Sequence, residues 1–191
     1  MWQDILHVDQ QLLLALNGSW GSGWDTFFYW ISSKMIWIPL YIAILWAVWR
    51  QYGWKGMLWM LLCVGIAIIA ADQICNLFKN NLPKFRPCHN PDIQNWVHIV
   101  NNYRGGLYGT VSAHAAISFT LATFTSLLFR KRWYTLTICA WALLVAYSRI
   151  YLGMHFPLDL FFGTLLGITL GYTSFCVYRR IFLSPRKTTQ S

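Results

Sequence analysis

Long apolar stretches without a charged side chain recur along this chain and limit its fold more than any other feature. Five of them contain no Lys, Arg, Asp or Glu: residues 35–49, 56–71, 115–129, 133–148 and 160–178. A helix needs about 20 predominantly apolar residues to cross a bilayer, where it satisfies its own backbone hydrogen bonds. Only 11% of the 191 residues are charged, against roughly 25% in a soluble domain. The sequence therefore predicts an all-α, multi-pass membrane protein.

The apolar stretches predict a single membrane-embedded domain over residues 1–191, built as a bundle of about five transmembrane helices. The expected spans are Thr26 or Ser32 to Trp49, Gly56 to Phe78, His114 to Phe129, Trp133 to Tyr147, and Phe156 to Tyr178. The fifth helix carries Gly163, Gly167 and Gly171, a spacing that lets a neighbouring helix approach closely. We expect this row to pack inside the bundle rather than to form a dimer seam.

The N-terminal segment has a different pattern. Residues 4–16 carry apolar side chains at helical spacing among polar ones, namely Ile5, Val8, Leu12 and Leu16. Because this segment is too short and too polar to span, we expect an interfacial amphipathic helix, closed by Asn17 and Gly18. No Lys or Arg precedes Lys34, so the segment lacks the basic region of a secretory signal peptide and we expect no cleavage.

The chain carries 15 Lys and Arg residues against six Asp and no Glu, for a formal charge of +9. Many of these basic residues fall on one side of the predicted bundle: Arg50, Lys55, Arg130, Lys131, Arg132, Arg179, Arg180, Arg186 and Lys187. By the positive-inside rule this side is cytoplasmic, which places the N-terminal helix and the loop of residues 80–110 on the outer side. The basic clusters form no stripe with aromatic stacking platforms, so nucleic acid is not expected as a partner.

The stretch SRIYLGMHFPLD, residues 148–159, places charged side chains between two apolar spans on the outer side. His155 and Asp159 are four residues apart and share one face if this turn is helical. An Asp that accepts from one imidazole nitrogen leaves the other free to attack an electrophile, and Arg149 is placed to bind an anion. Taken alone, the same residues equally suit an interfacial cap with a snorkelling arginine.

The stretch KNNLPKFRP, residues 79–87, follows the second predicted span on the outer side. Pro83 and Pro87 stop the helix and impose extended or turn backbone. Lys79 and Arg86 flank this bend, so both side chains can fold back over the mouth of the bundle. On its own the stretch also fits a basic flank that snorkels toward lipid headgroups.

The stretch GTVSAHA, residues 109–115, precedes the third predicted span on the same side. Ser112 is a candidate N-cap, and the free backbone N–H groups of Ser112, Ala113 and His114 are expected to point outward as an anion site. Together the three stretches supply three cations, a helix N-terminus, two histidines and a carboxylate. This co-location favours a catalytic interpretation.

The three stretches resemble the motifs of the type 2 phosphatidic acid phosphatase superfamily of membrane lipid phosphatases: K-x6-RP, PSGH and SR-x5-H-x3-D. The matching positions are Lys79, Arg86 and Pro87, then Ser112 and His114, then Ser148, Arg149, His155 and Asp159. Val111 and Ala113 stand where the second motif has Pro and Gly. The order and the internal spacings match.

The resemblance implies a role for each matching residue. His155 would be the nucleophile that forms a phosphohistidine, Asp159 its orienting partner, and His114 the acid that protonates the leaving oxygen. The implied phosphate-binding residues are Lys79, Arg86, Ser112, Ala113 and Arg149. The resemblance also implies catalysis without a cofactor or a metal, because cations and backbone amides neutralise the charge of the transition state.

The resulting prediction is an integral-membrane hydrolase that removes phosphate from a lipid phosphate or pyrophosphate in the bilayer. The family's bacterial members make polyprenyl pyrophosphate, phosphatidylglycerol phosphate and lipid A phosphate the candidate substrates. Together with the outward orientation from the charge pattern, this predicts a multi-pass protein of the bacterial inner (cytoplasmic) membrane whose active site faces the periplasm or exterior. Two alternatives stay open: transfer of the phosphoryl group to another lipid, and a non-catalytic membrane transporter or interaction protein that retains the fold. Five spans argue against the soluble haloperoxidase branch.

Two further residues near the predicted site have open roles. Asp72 lies on roughly the same helix face as Lys79, and it suits either an ion pair with a site cation or an intramembrane hydrogen bond. Arg104 lies in the loop of residues 80–110, which suits either a lid or an ordinary connection. We hypothesise that Arg104 binds a second anionic group of the substrate.

Overall fold

A computed structural model describes residues 2–183, and within that range the chain contains six α-helices and no strand. The helices are α1 (Trp2–Leu16), α2 (Ser22–Ile31), α3 (Ile38–Asn81), α4 (Ala113–Phe129), α5 (Arg132–Tyr151) and α6 (Pro157–Tyr178). Arg186 and Lys187, which the charge pattern assigns to the cytoplasmic side, lie outside the described residues. The all-helical prediction is confirmed.

Helix α3 is broken at Gly53, which has φ 69° and ψ 179°. Trp37 before the break and Asp72 after it line one cavity, although a straight helix would separate residues 35 positions apart by about 50 Å. The chain therefore reverses direction at Gly53 and forms two antiparallel halves. The reversal lies between Arg50 and Lys55, where the sequence predicts a turn between the first two spans.

Of the two predicted starts of the first span, Thr26 is wrong, whereas Ser32 lies three residues before the apolar helical stretch that begins at Met35. Residues 22–31 form the separate short helix α2, and α3 begins only at Ile38, with a proline in its first turn. Proline favours a helix start because its fixed φ suits the first turn and its missing N–H is not needed there. The three later predicted helices agree with α4, α5 and α6, and the largest difference is at the end of α5, which reaches Tyr151 instead of Tyr147.

Two helical stretches are long and apolar enough to cross a membrane by length and composition, Met35–Asn81 and Pro157–Leu183. Ala113–Phe129 is a shorter apolar helix between them. The longer stretch contains the Gly53 break, so each of its two halves counts as a separate candidate span. These helices fit the predicted multi-pass membrane protein.

The glycine row of α6 packs against α4 within the chain. A Cβ placed on Gly163 would lie 2.6 Å from the carbonyl oxygen of Ser112, and one on Gly167 would lie 2.4 Å from that of Ala116. The two helix backbones can approach this closely only because these positions lack a side chain. The expected packing inside the bundle is confirmed, and it fixes the start of α4 beside the start of α6.

Helix α1 docks on the bundle through a mixed face that contains one carboxylate and several leucines. Three of the four residues of the predicted apolar face are exposed, with Ile5 at 42%, Val8 at 60% and Leu12 at 47%, whereas Leu16 packs against the core. Asp9 and Leu13 are buried instead. At the end of α1, Asn17 donates to the carbonyl of Tyr151 at 2.7 Å and accepts from the amide of His98 at 2.7 Å. The predicted helix is present, its outward apolar face suits a lipid surface, and polar contacts hold it to the bundle.

The described loops and helix ends gather at two ends of the bundle. At the end that we call the basic end, Tyr52 donates to the carbonyl of Leu128 at 3.0 Å and Gly56 faces the ring of Phe182. Residues 50–55, 130–132 and 179–180 therefore lie together. The opposite end, which we call the loop end, holds α1, residues 82–112 and the turn before α6. This grouping agrees with the prediction from the sequence.

Candidate active site

The candidate site is built on the turn between α5 and α6. After α5 ends at Tyr151, Gly153 adopts φ 66°, and Phe156 is the N-cap of α6 with Pro157 as its first residue. A positive φ carries little cost only for glycine, so the chain reverses within a few residues. The turn places His155 at the mouth of α6, where it is 5% exposed, as the sequence predicts.

His155 and Asp159 are in contact. Nδ1 of His155 lies 3.4 Å from Oδ2 of Asp159, and the same oxygen accepts the backbone amide of Phe156 at 3.0 Å. Nη1 of Arg86 lies 3.4 Å from Nε2 of His155. Because a guanidinium can only donate, Nε2 is the nitrogen with the lone pair, and the proton on Nδ1 faces Asp159. This tautomer suits nucleophilic attack through Nε2.

The electrostatic surroundings of His155 favour its neutral form. Burial is the main cause that lowers the pKa of His155 to about 4; Asp159 acts in the opposite direction, and the charges of Arg86 and Arg149 act with burial. A histidine with such a pKa is neutral at physiological pH, and the neutral imidazole is the nucleophilic form.

Two guanidinium groups lie beside His155 without a carboxylate partner. Arg149 is buried and donates to Oγ of Ser32, and its Nε has no hydrogen-bond partner in the described part of the chain. Arg86 donates to two backbone carbonyls, each at 3.1 Å. Within residues 2–183, neither arginine forms an ion pair with an aspartate. Buried charge without a counter-ion is costly, so this arrangement suits a bound anion.

The start of α4 supplies part of the predicted anion site. Ser112 is the N-cap, and its Oγ accepts the amide of Ala115 at 3.5 Å, as predicted. Its own amide donates to the carbonyl of Asp159 at 3.0 Å, so the expectation that the Ser112 amide is free for an anion is wrong. Between residues 2 and 183, the amides of Ala113 and His114 have no protein acceptor and remain open to a ligand.

His114 lines a cavity of about 470 Å³ between α3, α4 and α5. The polar part of its lining comes from residues 32–34, Asp72, His114 and Ser118. Most of the remaining lining is apolar and includes Tyr41, Ile44, Met60, Val64, Leu121 and Trp141. His114 lies close enough to Arg149 and His155 to interact electrostatically with both, so the two histidines belong to one site that borders an apolar cavity.

Lys79 lies beside the glycine pair Gly105 and Gly106. A Cβ built on Gly106 would lie 3.9 Å from Nζ of Lys79, and one on Gly105 would lie 3.9 Å from Cζ of Arg86. The glycine pair therefore sits between two of the cations predicted to bind phosphate. Because these positions lack side chains, the loop backbone can approach both cations.

The two residues with open roles make local contacts. Asp72 accepts a hydrogen bond from Asn76 at 3.0 Å. This contact corresponds to the intramembrane hydrogen bond and not to an ion pair with a site cation. Arg104 donates to the carbonyl of Cys88 at 2.8 Å, and Sγ of Cys88 donates to the carbonyl of Arg104. These bonds fold the arginine onto its own loop, and its role toward the substrate stays a hypothesis.

Sequence reasoning missed two charged residues that touch the site. Lys84 donates to Oδ1 of Asp159 at 3.1 Å and to Oδ2 of Asp9 at 3.2 Å. Asp9 is 3% exposed, and its Oδ1 accepts the amide of Leu158 at 2.9 Å. No local pattern marks either residue, because the partners of Asp9 lie 75 and 149 positions further along the chain.

Comparison with known families agrees with this geometry. Residues 56–182 match the family model described as the PAP2 superfamily. The match covers more than half of the chain and contains all three motif stretches. The chain therefore belongs to the PAP2 superfamily.

Two curated relatives are both named lipid A 4'-phosphatase. The protein from Bacteroides thetaiotaomicron is 43% identical over 163 residues, which are 84% of this chain and 72% of the relative. The protein from Porphyromonas gingivalis is 39% identical over 175 residues, which are 91% of this chain and 74% of the relative. These relatives support a membrane lipid phosphatase.

Two solved structures share the fold. Aquifex aeolicus LpxE gives a TM-score of 0.63 at 24% identity, with 86% of this chain and 92% of that chain covered. A PAP2-type phosphatidylglycerolphosphate phosphatase from Bacillus subtilis gives a TM-score of 0.67 at 19% identity, with 93% of this chain and 88% of that chain covered. The helical architecture is thus that of membrane PAP2 proteins.

Proposed function

We propose that this protein hydrolyses a phosphate from lipid A through a phosphohistidine on His155, without a metal, at a site that faces the periplasm. One observation carries the proposal. The lone-pair nitrogen Nε2 of His155 lies beside Arg86, and the buried Arg149 has no carboxylate partner within the described residues. A neutral nucleophile among uncompensated cations fits attack on a phosphate.

The first step transfers the phosphoryl group to the protein. Nε2 of His155 attacks the phosphorus, a P–N bond forms, and the bond between the phosphorus and the lipid oxygen breaks. His114 gives its proton to that oxygen, since the charge of the bound phosphate favours the protonated imidazole. Asp159 stabilises the positive charge that develops on His155 through its contact with Nδ1. Arg86 and Arg149 hold the phosphoryl oxygens.

The second step returns the protein to its starting state. A water molecule attacks the phosphorus of the phosphohistidine and gives a proton to His114. The P–N bond breaks, its electron pair returns to Nε2 of His155, and inorganic phosphate leaves. The two steps together consume one water and release one alcohol and one phosphate, and His114 is again protonated for the next substrate.

The choice of lipid A among lipid phosphates rests on two supports. Both curated relatives described above carry the name lipid A 4'-phosphatase, at 43% and 39% identity. The apolar cavity beside His114 also suits a substrate whose hydrocarbon chains remain in the bundle or the bilayer.

The direct test is phosphate release by the detergent-purified protein from lipid A, phosphatidylglycerol phosphate, phosphatidic acid and polyprenyl pyrophosphate, with EDTA present. We expect lipid A to be preferred and His155→Gln to lower kcat by about 10³-fold or more, because a nucleophile cannot be replaced by its neighbours. His7→Gln is the matched control, since His7 is an exposed residue of α1.

The outcomes separate the parts of the proposal. Activity that survives in His155→Gln means that another group is the nucleophile, and activity lost with EDTA means that a metal takes part. Preference for another lipid contradicts the lipid A assignment alone. Phosphorylation of an acceptor lipid without release of phosphate identifies a phosphotransferase.

A further inference from the structure

Helix α1 brings a buried carboxylate to the start of α6. Oδ1 of Asp9 accepts the amide of Leu158 at 2.9 Å, and Leu158 is the second residue of α6. The amides of a helix's first turn have no acceptor within the helix and carry positive partial charge. Asp9 therefore caps α6 from a distant part of the chain, beside the turn that holds His155.

Lys84 links this carboxylate to the one that contacts His155. Its Nζ lies 3.2 Å from Oδ2 of Asp9 and 3.1 Å from Oδ1 of Asp159. The side chain of Lys84 is 28% exposed, whereas the two carboxylates are 2% and 4% exposed. Nζ also lies 4.2 Å from the centre of the Phe156 ring. Two carboxylates and an aromatic face thus fix the position of this ammonium group.

The link determines how Asp159 can be oriented. Its Oδ1 is bound by Lys84, and its Oδ2 is bound by the Phe156 amide and faces Nδ1 of His155. With both oxygens engaged, the carboxylate cannot rotate away from the imidazole without breaking a charge-assisted hydrogen bond.

The positive charge of Lys84 also stabilises the ionised form of Asp9. Burial raises the pKa of Asp9, the Leu158 amide and Lys84 lower it, and the nearby charge of Asp159 raises it. Two buried carboxylates that contact the same side chain repel each other, and a cation between them offsets that repulsion. Lys84 is the cation that contacts both.

We propose that Asp9 and Lys84 are positioning residues of the reaction: they hold Asp159, and through it His155, in the geometry for attack, so that α1 is a working part of the active site. The proposal rests on the proposed function, because it assigns to Asp159 the orientation of the nucleophile. Neither residue is expected to contact the substrate. Asp9 contacts Lys84 and the start of α6, and Lys84 contacts the two carboxylates and a ring.

A purely structural role for Asp9 would be to anchor α1, and the test must separate the two roles. Asp9→Asn weakens both the cap and the link, whereas Lys84→Gln breaks the link and leaves the bond between Asp9 and the Leu158 amide. Lys84→Arg keeps the positive charge. Asp4→Asn removes a carboxylate from an exposed position of the same helix and is the matched control.

The measurement is steady-state hydrolysis of lipid A by the full-length variants in detergent, together with their thermal unfolding midpoints. For Asp9→Asn and for Lys84→Gln we expect kcat to fall about 10- to 100-fold while KM stays within about twofold, because misplaced reacting groups slow the chemical step and not binding. The double variant should lose about as much as the worse single variant, since both act through one path. Lys84→Arg and Asp4→Asn should keep most of the activity.

Three results would overturn the positioning role. They are an unchanged kcat in Lys84→Gln, a loss in Asp9→Asn that follows the fraction of unfolded protein, or independent losses that multiply in the double variant. The proposed function is checked separately by trapping labelled phosphohistidine in the wild-type protein. Absence of that label contradicts the phosphohistidine mechanism, whereas its presence together with unchanged kcat in both single variants contradicts only the positioning role.

Discussion

The imidazole of His155 is buried and has a charged neighbour at each ring nitrogen. Arg86 donates toward one ring nitrogen and Asp159 faces the other, while the ring itself is 5% exposed. The guanidinium of Arg86 leaves no room for a proton on Nε2, so the carboxylate orients the ring without protonating it. His155 is therefore a neutral imidazole beside the buried Asp159, the buried Arg149 and the partly buried Arg86.

The protonation state of His155 gives a prediction. Its pKa in the folded protein is lowered to about 4, compared with about 6.5 in an unfolded chain. As the pH falls through this window the unfolded chain binds the proton first, so the contribution of neutral His155 to folding stability is present above pH 6.5 and lost toward pH 4. We expect the ¹⁵N shifts of His155 to stay those of a neutral imidazole down to about pH 5.

This titration is measured on ¹⁵N-histidine-labelled protein in detergent, and the spectrum of His155→Gln assigns the signal. If His155 titrated near pH 6.5, the value of an unfolded chain, its buried environment and its contact with Arg86 would both be wrong.

At the scale of helices, the contact between α4 and α6 sets the distance between the two histidines. The glycine row of α6 faces backbone carbonyls of α4, and both helices begin at the site: Ser112 caps one and Phe156 the other. The amide of Ser112 donates to the carbonyl of Asp159. The packing of α4 against α6 therefore also fixes the relative positions of the site residues at the starts of these helices.

Gly167→Ala tests this packing. The new Cβ would lie 2.4 Å from the carbonyl oxygen of Ala116 and 2.8 Å from Cβ of Phe119, so the helices must separate. We expect a loss of about 1–3 kcal/mol in stability from overpacking, seen as a lower unfolding midpoint in detergent. Gly65→Ala is the control, because a Cβ there meets nothing within 4 Å. Equal midpoints for the two variants would contradict the close approach of α4 and α6.

The helices could be predicted where a local signal marks their ends. The start of α4 follows its Ser112 cap, and α6 begins at Pro157, so both were placed to within one residue. No capping residue marks the reversal at Gly53 inside α3. Only Arg50 and Lys55, on either side of it, indicate a turn there. The separate helix α2 was missed because its apolar and aromatic residues continue the pattern of the following span.

For the whole molecule, the division into a basic end and a loop end predicts its orientation. The positive-inside rule places the basic end in the cytoplasm. We therefore expect a cysteine introduced as Asn81→Cys to react with a membrane-impermeant maleimide added outside the inner membrane, and one introduced as Arg132→Cys to react only after permeabilisation. The unmodified protein, with its five native cysteines, gives the background. The opposite labelling pattern would reverse the orientation and place the site in the cytoplasm.

The candidate site shows how far sequence alone can reach. His155 and Asp159 are four positions apart, so helical spacing predicts their contact, which the structure contains. Asp9 and Lys84 carry no such signal, because their contacts depend on how α1 and a loop fold onto α6. Contacts between residues close in sequence could be predicted, whereas the contacts that Asp9 and Lys84 make with distant parts of the chain could not.

The separation of Asp9 from its partners also has a consequence for biosynthesis. Because synthesis proceeds from the N-terminal side, Asp9 leaves the ribosome 149 residues before the amide that it caps. Until α6 has been inserted, the carboxylate of Asp9 has no helix to cap and His155 has no oriented carboxylate. If the proposed mechanism holds, a nascent chain at any earlier stage is catalytically silent, and activity is acquired only after α6 has been made.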